Sequence, residues 1–201
     1  MNCAPLRLAL ATALALAALT SVTPVMGHVQ NGQAQGFFSG FWHPISGLDH
    51  VLAMVAVGLW GAQLGPPALW LLPVTFPIMM ALGGFLALVG IPLPGVEIGI
   101  AASALLLGIV VALEAKPYLV LAALIVGAFA IFHGHAHGTE LPPGQSAVMY
   151  SIGFVIATGC LHGLGILIGV AHKWPWGKIM LRLSGSAVAI AGSLFLWRAL
   201  Q

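Results

Sequence analysis

Residues that bind transition metals form two short clusters in an otherwise apolar chain of 201 residues. The first cluster occupies residues 43–50 and contains His43, Asp49 and His50. Two imidazoles and one carboxylate in so short a segment make a metal-compatible set of ligands. We interpret these three residues as metal ligands. The alternative is that each is an interfacial or hydrogen-bonded structural residue.

The second cluster occupies residues 132–140 and is richer in histidine. On a helix that turns by about 100° per residue, His133, His137 and Glu140 share one face, whereas His135 points to the opposite side. The sequence therefore predicts that these three residues bind metal together. The alternative is a solvated histidine-rich loop that binds metal adventitiously, because two glycines in the cluster favour a loop.

Three further residues are candidates for the same chemistry. Glu97 stands at the start of a predicted helix, where it is either part of the metal site or a solvated acid favoured by the helix dipole. His162 lies inside another predicted helix, either as a later step on a metal route or as a neutral core histidine bonded to a backbone carbonyl. His28 would become the first residue after signal cleavage, so its imidazole and the free α-amino group could chelate metal at the entrance.

The elements that must position these residues are transmembrane helices. About 20 mostly apolar residues cross the hydrocarbon core of a bilayer, and six segments approach or exceed that length after the N-terminal region. We predict an all-α membrane protein with spans at roughly 44–63, 68–89, 96–113, 118–133, 147–171 and 180–199. Pro44 suits the first position of the first helix, so His43 would flank the helix start and Asp49 and His50 would lie one to two turns inside.

The N-terminal region resembles a secretory signal. It has a basic residue, Arg7, an apolar stretch and a turn-prone end, which indicate a signal peptide over residues 1–27. The remaining residues 28–201 would then form one domain. The alternative is an uncleaved first helix.

Composition excludes several classes of function. Charged residues make up 5% of the chain and hydrophobic residues 60%, whereas soluble domains carry about 25% charged residues. Six scattered Lys and Arg residues form no nucleic-acid-binding patch. The two cysteines are Cys3, in the predicted signal, and Cys160, in an apolar run, so neither a disulfide framework nor a Cys-type zinc site is expected.

Basic residues predict the orientation of the chain, because cytoplasmic loops retain Lys and Arg. With the mature N-terminus in the periplasm, Lys116, Lys173, Lys178 and Arg182 all fall on the cytoplasmic side, and Arg198 alone falls outside. This orientation predicts that both metal-binding clusters lie at the periplasmic end and form one site there.

The two clusters together resemble the signature of a known family. The pattern is His43, five residues, then Asp49-His50, followed by Phe132-His133-Gly134-x-Ala136-His137-Gly138-x-Glu140. It is similar to the HupE/UreJ family of nickel permeases, and the resemblance extends over essentially the whole mature chain. His135 occupies a variable position in this pattern. The resemblance implies uptake of nickel, or of cobalt in some members, across a bacterial inner membrane for hydrogenase, urease or cobalamin pathways.

A permease is the hypothesis that these observations favour. Mixed imidazole and carboxylate ligands can select an ion and still release it. An intramembrane metal-dependent enzyme is a rival class, but no His-Glu-x-x-His motif and no recognisable nucleophile with a base occur in the sequence. A metal-sensing or assembly membrane protein is a third. No permanently bound cofactor is expected, the expected partners are the metal ion and the lipid bilayer, and homo-oligomerisation stays open.

Overall fold

The computed structural model describes residues 33–140 and 144–201, and all regular secondary structure within these ranges is helical. The helices are α1 (Gln33–Ser46), α2 (Leu48–Leu64), α3 (Ala68–Leu88), α4 (Val96–Ala112), α5 (Leu119–Thr139), α6 (Ala147–Gly169) and α7 (Pro175–Ala199), with a 3-10 turn at Val170–Lys173 after α6. The predicted all-α class is confirmed for this part of the chain. The predicted signal peptide and His28 lie outside the described residues.

The structure contains four to five candidate membrane spans in the described part of the chain. Helices α3, α5 and α7, and α6 with its 3-10 turn, are each long and apolar enough to cross a bilayer. Helices α1 and α2 meet at an angle of 81° and together make one bent candidate. Helix α4 is apolar but has only 17 residues. The expected number of six spans therefore stays a prediction.

The predicted start of the first helix was wrong. No helix begins at Pro44, because α1 runs through His43 and Pro44 and ends at Ser46. Gly47 then adopts an extended conformation, with φ −96° and ψ 115°, and α2 begins at Leu48. A glycine lacks the side chain that would favour continuing the helix. Asp49 and His50 consequently lie in the first turn of α2 rather than one to two turns inside it.

Helix α5 decides between a helical and a loop conformation for the second cluster, whereas metal binding by its residues stays a prediction. The predicted span at 118–133 ended inside the cluster, at its first histidine, but the helix continues to Thr139 and includes all three histidines. The glycines of the cluster allow α5 to pack closely on α3. A Cβ atom on Gly134 would lie 1.9 Å from the backbone oxygen of Met80, so a larger residue would not fit there. The helical interpretation is therefore correct, and the loop interpretation is wrong.

Helix α2 lies at the centre of the bundle. Eleven of its 17 residues are buried, among them Met54, Val57 and Trp60, which have no exposed surface. Its backbone packs closely against the backbone of α6 at Gly58. A Cβ atom at this position would lie 2.2 Å from the carbonyl oxygen of His162, so only glycine fits there. Around this axis, α3 packs on α5 and α4 packs on α7.

The outer surface of the bundle is apolar, as expected for helices that face lipid. Large side chains on the outside of three helices are half exposed or more, including Trp70, Ile78, Phe85, Val120, Leu124, Ile190 and Trp197. In water such a continuous apolar surface would drive association. In a membrane, the hydrocarbon core of the bilayer covers this surface, so it is not exposed to water.

The bundle has two chemically different ends. We define the histidine end as the one where α2, α4 and α6 begin and where α3, α5 and α7 end. At the opposite end, the indole Nε1 of Trp60 donates a hydrogen bond to the backbone oxygen of Ala115 at 2.9 Å. Lys116, Lys173 and Lys178 lie at this opposite end, and Arg182 follows in the second turn of α7.

Candidate metal site

The break between α1 and α2 positions the first cluster. Because the two helices meet at 81° around Gly47, the last turn of α1 and the first turn of α2 both reach the end of α5. His43 therefore comes from one helix and His50 from the next. The backbone N–H of Val51 bonds the oxygen of Gly47 at 3.0 Å, which closes the first turn of α2.

His43, His137 and Glu140 form the most open part of the site. Nε2 of His43 lies 3.1 Å from Oε2 of Glu140, and Nδ1 of His137 lies 3.8 Å from the same oxygen. One ligand atom from each residue can be chosen so that all three lie within 4.8 Å of one another. The imidazole of His137 is buried, whereas 54% of the Glu140 side chain is exposed. The group thus faces outward through its carboxylate.

Glu140 follows the last residue of α5, and His43 stabilises its ionised form. The hydrogen bond between the two side chains lowers the pKa of the Glu140 carboxyl below its usual range. The carboxylate therefore stays ionised where a divalent cation would approach.

Asp49 and His50 form a pair that fixes the tautomer of the imidazole. Oδ1 of Asp49 accepts hydrogen bonds from Nδ1 of His50 at 3.0 Å and from its backbone N–H at 2.9 Å. With the proton on Nδ1, the lone pair is on Nε2, which is buried and has no hydrogen-bond partner among the described residues. A carboxylate that holds the second nitrogen of an imidazole is the usual support for a metal-binding histidine.

His133 lies deeper and is held by a hydroxyl group. Its side chain is completely buried, and Nε2 lies 2.9 Å from Oγ of Ser103. The Ser103 hydroxyl donates its hydrogen to the oxygen of Ile100 at 2.6 Å, so it accepts from Nε2–H of His133. Nδ1 of His133 then carries the lone pair, and it too is buried without a partner in the described chain.

Four imidazoles of the site lie against one another. Ring centroids are 4.6 Å apart for His50 and His133, 4.6 Å for His50 and His137, and 4.6 Å for His43 and His137. Buried polar nitrogens are nearly always hydrogen-bonded in proteins. Neither ring nitrogen of His137 has a hydrogen-bond partner within the described ranges. These free nitrogens suit a cation that binds between the rings.

The remaining predicted residues lie elsewhere. Glu97 lines a separate cavity of about 500 Å³ together with Asp49 and Arg198, so it shares a cavity wall with one member of the cluster. His135 points away from the cluster, and its Nε2 bonds the oxygen of Ile91 at 2.9 Å. His162 lies further inside the bundle, with Nδ1 bonded to the oxygen of Met54 at 2.8 Å.

Sequence reasoning missed several residues that contact the imidazoles. Ser103 is the only hydroxyl-bearing residue of α4, and a polar residue in an apolar helix is a signal that could have identified it. Aromatic rings also enclose the cluster: Phe154 lies 4.2 Å from His137 and Tyr150 lies 5.8 Å from His43, between ring centroids. Nothing in the sequence distinguishes these rings from ordinary core residues.

Comparison with known proteins gives one consistent result. A family model described as "HupE / UreJ protein" matches residues 14–195. The chain is also 46% identical over 186 residues to "Protein HupE" of Rhizobium leguminosarum bv. viciae, an alignment that covers 92% of this chain and 95% of that protein. No solved structure matches.

Proposed function

Because this chain belongs to the HupE/UreJ family, we propose that it is a permease that imports Ni²⁺, or Co²⁺, across the bacterial inner membrane. The observation that carries this proposal is the convergence of unpartnered imidazole nitrogens of His50, His133 and His137, as seen among the described residues, at one end of an apolar helix bundle. The ion is the transported substrate and not a resident cofactor.

The ligand types favour nickel and its neighbours. Imidazole binds Ni²⁺ well, whereas Mg²⁺ and Ca²⁺ prefer all-oxygen sites. Thiolates would hold a soft ion too tightly for release, and the free Cys160 lies exposed on α6. We propose His43, Asp49, His50, His133, His137 and Glu140 as the residues that serve the ion, with Asp49 acting through His50. Glu97 attracts the ion into the cavity that it shares with Asp49.

The charge of the histidine end supports its role in attracting a cation. Three of the four acidic residues, Asp49, Glu97 and Glu140, lie at this end against one basic residue, Arg198. Carboxylates near a low-dielectric wall raise the local concentration of cations. Transport rather than catalysis is proposed, because no pair of nucleophile and base accompanies the candidate ligands within residues 33–140 and 144–201.

We propose that the histidine end faces the periplasm. The basic residues Lys116, Lys173 and Lys178 cluster at the opposite end, and cytoplasmic ends retain such residues. The C-terminus would then be periplasmic. A phosphatase fused after Gln201 should be active and a fluorescent cytoplasmic reporter dark; the reverse pair of results would place the metal site on the cytoplasmic side.

Uptake of ⁶³Ni²⁺ into proteoliposomes that contain the purified protein tests the proposal. Wild-type protein should accumulate the ion above empty vesicles, and excess Co²⁺ should compete. His137→Ala should abolish most of the uptake. His135→Ala is the matched control, because His135 lies on the same helix but bonds Ile91 instead of facing the cluster. Failure of the wild-type protein to accumulate Ni²⁺ would refute the proposal.

A further inference from the structure

A line of aromatic rings continues from the metal site into the bundle. The ring of Phe76 lies 5.5 Å from that of His133 and 5.2 Å from that of His162, between centroids. Phe76 is completely buried and His162 is 1% exposed. Phe76 therefore separates an imidazole of the outer site from a second, deeper imidazole.

The hydrogen bond of His162 determines which of its nitrogens is free. Nδ1 lies 2.8 Å from the backbone oxygen of Met54, and a carbonyl can only accept, so Nδ1 carries the proton. Nε2 then holds a lone pair, and it is buried with no partner in the part of the chain that the structure describes. The arrangement is the same as that of His133, in which one nitrogen is fixed and the other is free.

A second polar group accompanies His162 on α6. Thr158 stands one turn earlier, and residues four apart share a helix face. Its side chain is fully buried, and Oγ1 has no hydrogen-bond partner within the described ranges. His162 lies roughly 22 Å along α6 from its first residue, at 1.5 Å per residue. Uncompensated polar groups at such depth are costly in a bilayer and mark functional positions.

We propose that Nε2 of His162 is an inner ligand for the transported ion, which reaches it from the outer site past Phe76. This inference rests on the proposed function. The inner position offers only neutral groups, whereas the outer site has carboxylates. The ion should therefore bind more weakly at His162 than at the outer site, which suits a position from which the ion must leave. The ring of Phe76 must move aside for the ion to pass from His133 to His162.

His162→Asn separates a ligand role from a structural one. The asparagine amide can still donate to the oxygen of Met54, but the nitrogen that corresponds to Nε2 is gone. His172→Asn is the matched control, because Nδ1 of His172 makes the same kind of bond, to the oxygen of Gly169 at 2.8 Å, near the opposite end. If His162→Asn is not recovered from membranes, His162→Gln takes its place, since its amide can donate to the same carbonyl.

Two measurements on each purified variant test the inference: ⁶³Ni²⁺ uptake into proteoliposomes and Ni²⁺ binding by titration calorimetry. For His162→Asn we expect uptake to fall by about tenfold or more, with Ni²⁺ affinity of the outer site and thermal stability as in the wild-type protein. His172→Asn should transport normally. Unchanged uptake by His162→Asn would overturn the inner ligand, and so would a loss of outer-site affinity, which would assign His162 a structural role. Absence of wild-type uptake would instead refute the proposed function.

Discussion

Nε2 of His43 lies 3.1 Å from a carboxylate oxygen of Glu140, and this contact joins the two candidate metal-binding clusters. His43 belongs to α1, and Glu140 follows the last residue of α5. Neither helix brings the two residues together by itself. The contact depends on the sharp bend between α1 and α2 at Gly47, so the fold and the site are linked at this point.

Loss of the Glu140 charge should weaken metal binding. Glu140→Gln keeps the size of the side chain but removes a negative charge that faces a divalent cation. We expect the Ni²⁺ affinity to fall roughly tenfold, a limited effect because the half-exposed carboxylate is partly screened by solvent. Titration calorimetry on purified protein measures it. Glu114→Gln, at the opposite end, is the control and should bind as the wild-type protein does; equal affinities in all three proteins would contradict a role for Glu140.

Asp49 should act through the tautomer of His50. In Asp49→Asn, the amide can donate to Nδ1 of His50 and so favour the proton on Nε2, where the metal should bind. We expect a 10- to 100-fold loss of Ni²⁺ affinity, roughly the effect of removing such a support. Circular dichroism should show an unchanged helix content. An Asp49→Asn protein that binds Ni²⁺ with wild-type affinity would show that the pair does not set the tautomer.

Two glycines should differ sharply in their tolerance of a methyl group. In Gly134→Ala the new Cβ would lie 1.9 Å from the oxygen of Met80, so α3 and α5 must separate, at a cost of about 1–3 kcal/mol or more. In Gly159→Ala the new Cβ has nothing within 4 Å among the described residues. Thermal unfolding in detergent should show a clear loss of stability for the first variant and little change for the second. Equal stabilities would mean that this helix contact is looser than the structure indicates.

Nickel binding should weaken in mildly acidic solution because of the imidazoles. The His43 contact lowers the pKa of Glu140, so this carboxylate stays ionised through the pH range in which a free glutamate is protonated, and its contribution to Ni²⁺ binding is lost only at lower pH. Imidazole binds metal only when unprotonated, and free histidine titrates near about 6.5. Ni²⁺ affinity should therefore fall as the pH is lowered through and below about 6.5, in wild-type protein and in Glu140→Gln alike, because burial lowers the pH at which an imidazole is protonated. A wild-type affinity that stays constant down to about pH 4 would contradict histidine ligands.

The sequence predicted which side chains lie close together better than it predicted the helices that carry them. The helical periodicity of residues 133–140 correctly separated His135 from His137. The bend at Gly47 was missed, because a proline at position 44 resembled a helix start, and tertiary packing of α1 on α6 extends the helix beyond it. Ser103 and Phe76 were missed for another reason. They contact the histidines only through the packing of different helices, and no local pattern records such contacts.

The central claim is that both clusters bind one ion, and a double-mutant cycle on Ni²⁺ affinity tests it most directly. The variants are Asp49→Asn from the first cluster, Glu140→Gln from the second cluster and the double substitution, each titrated with Ni²⁺ by calorimetry. Substitutions that act on one shared ion are coupled, so the loss of affinity in the double variant should be clearly smaller than the product of the two single losses. If the single losses multiply independently, or if neither variant loses affinity, the two clusters do not form one site.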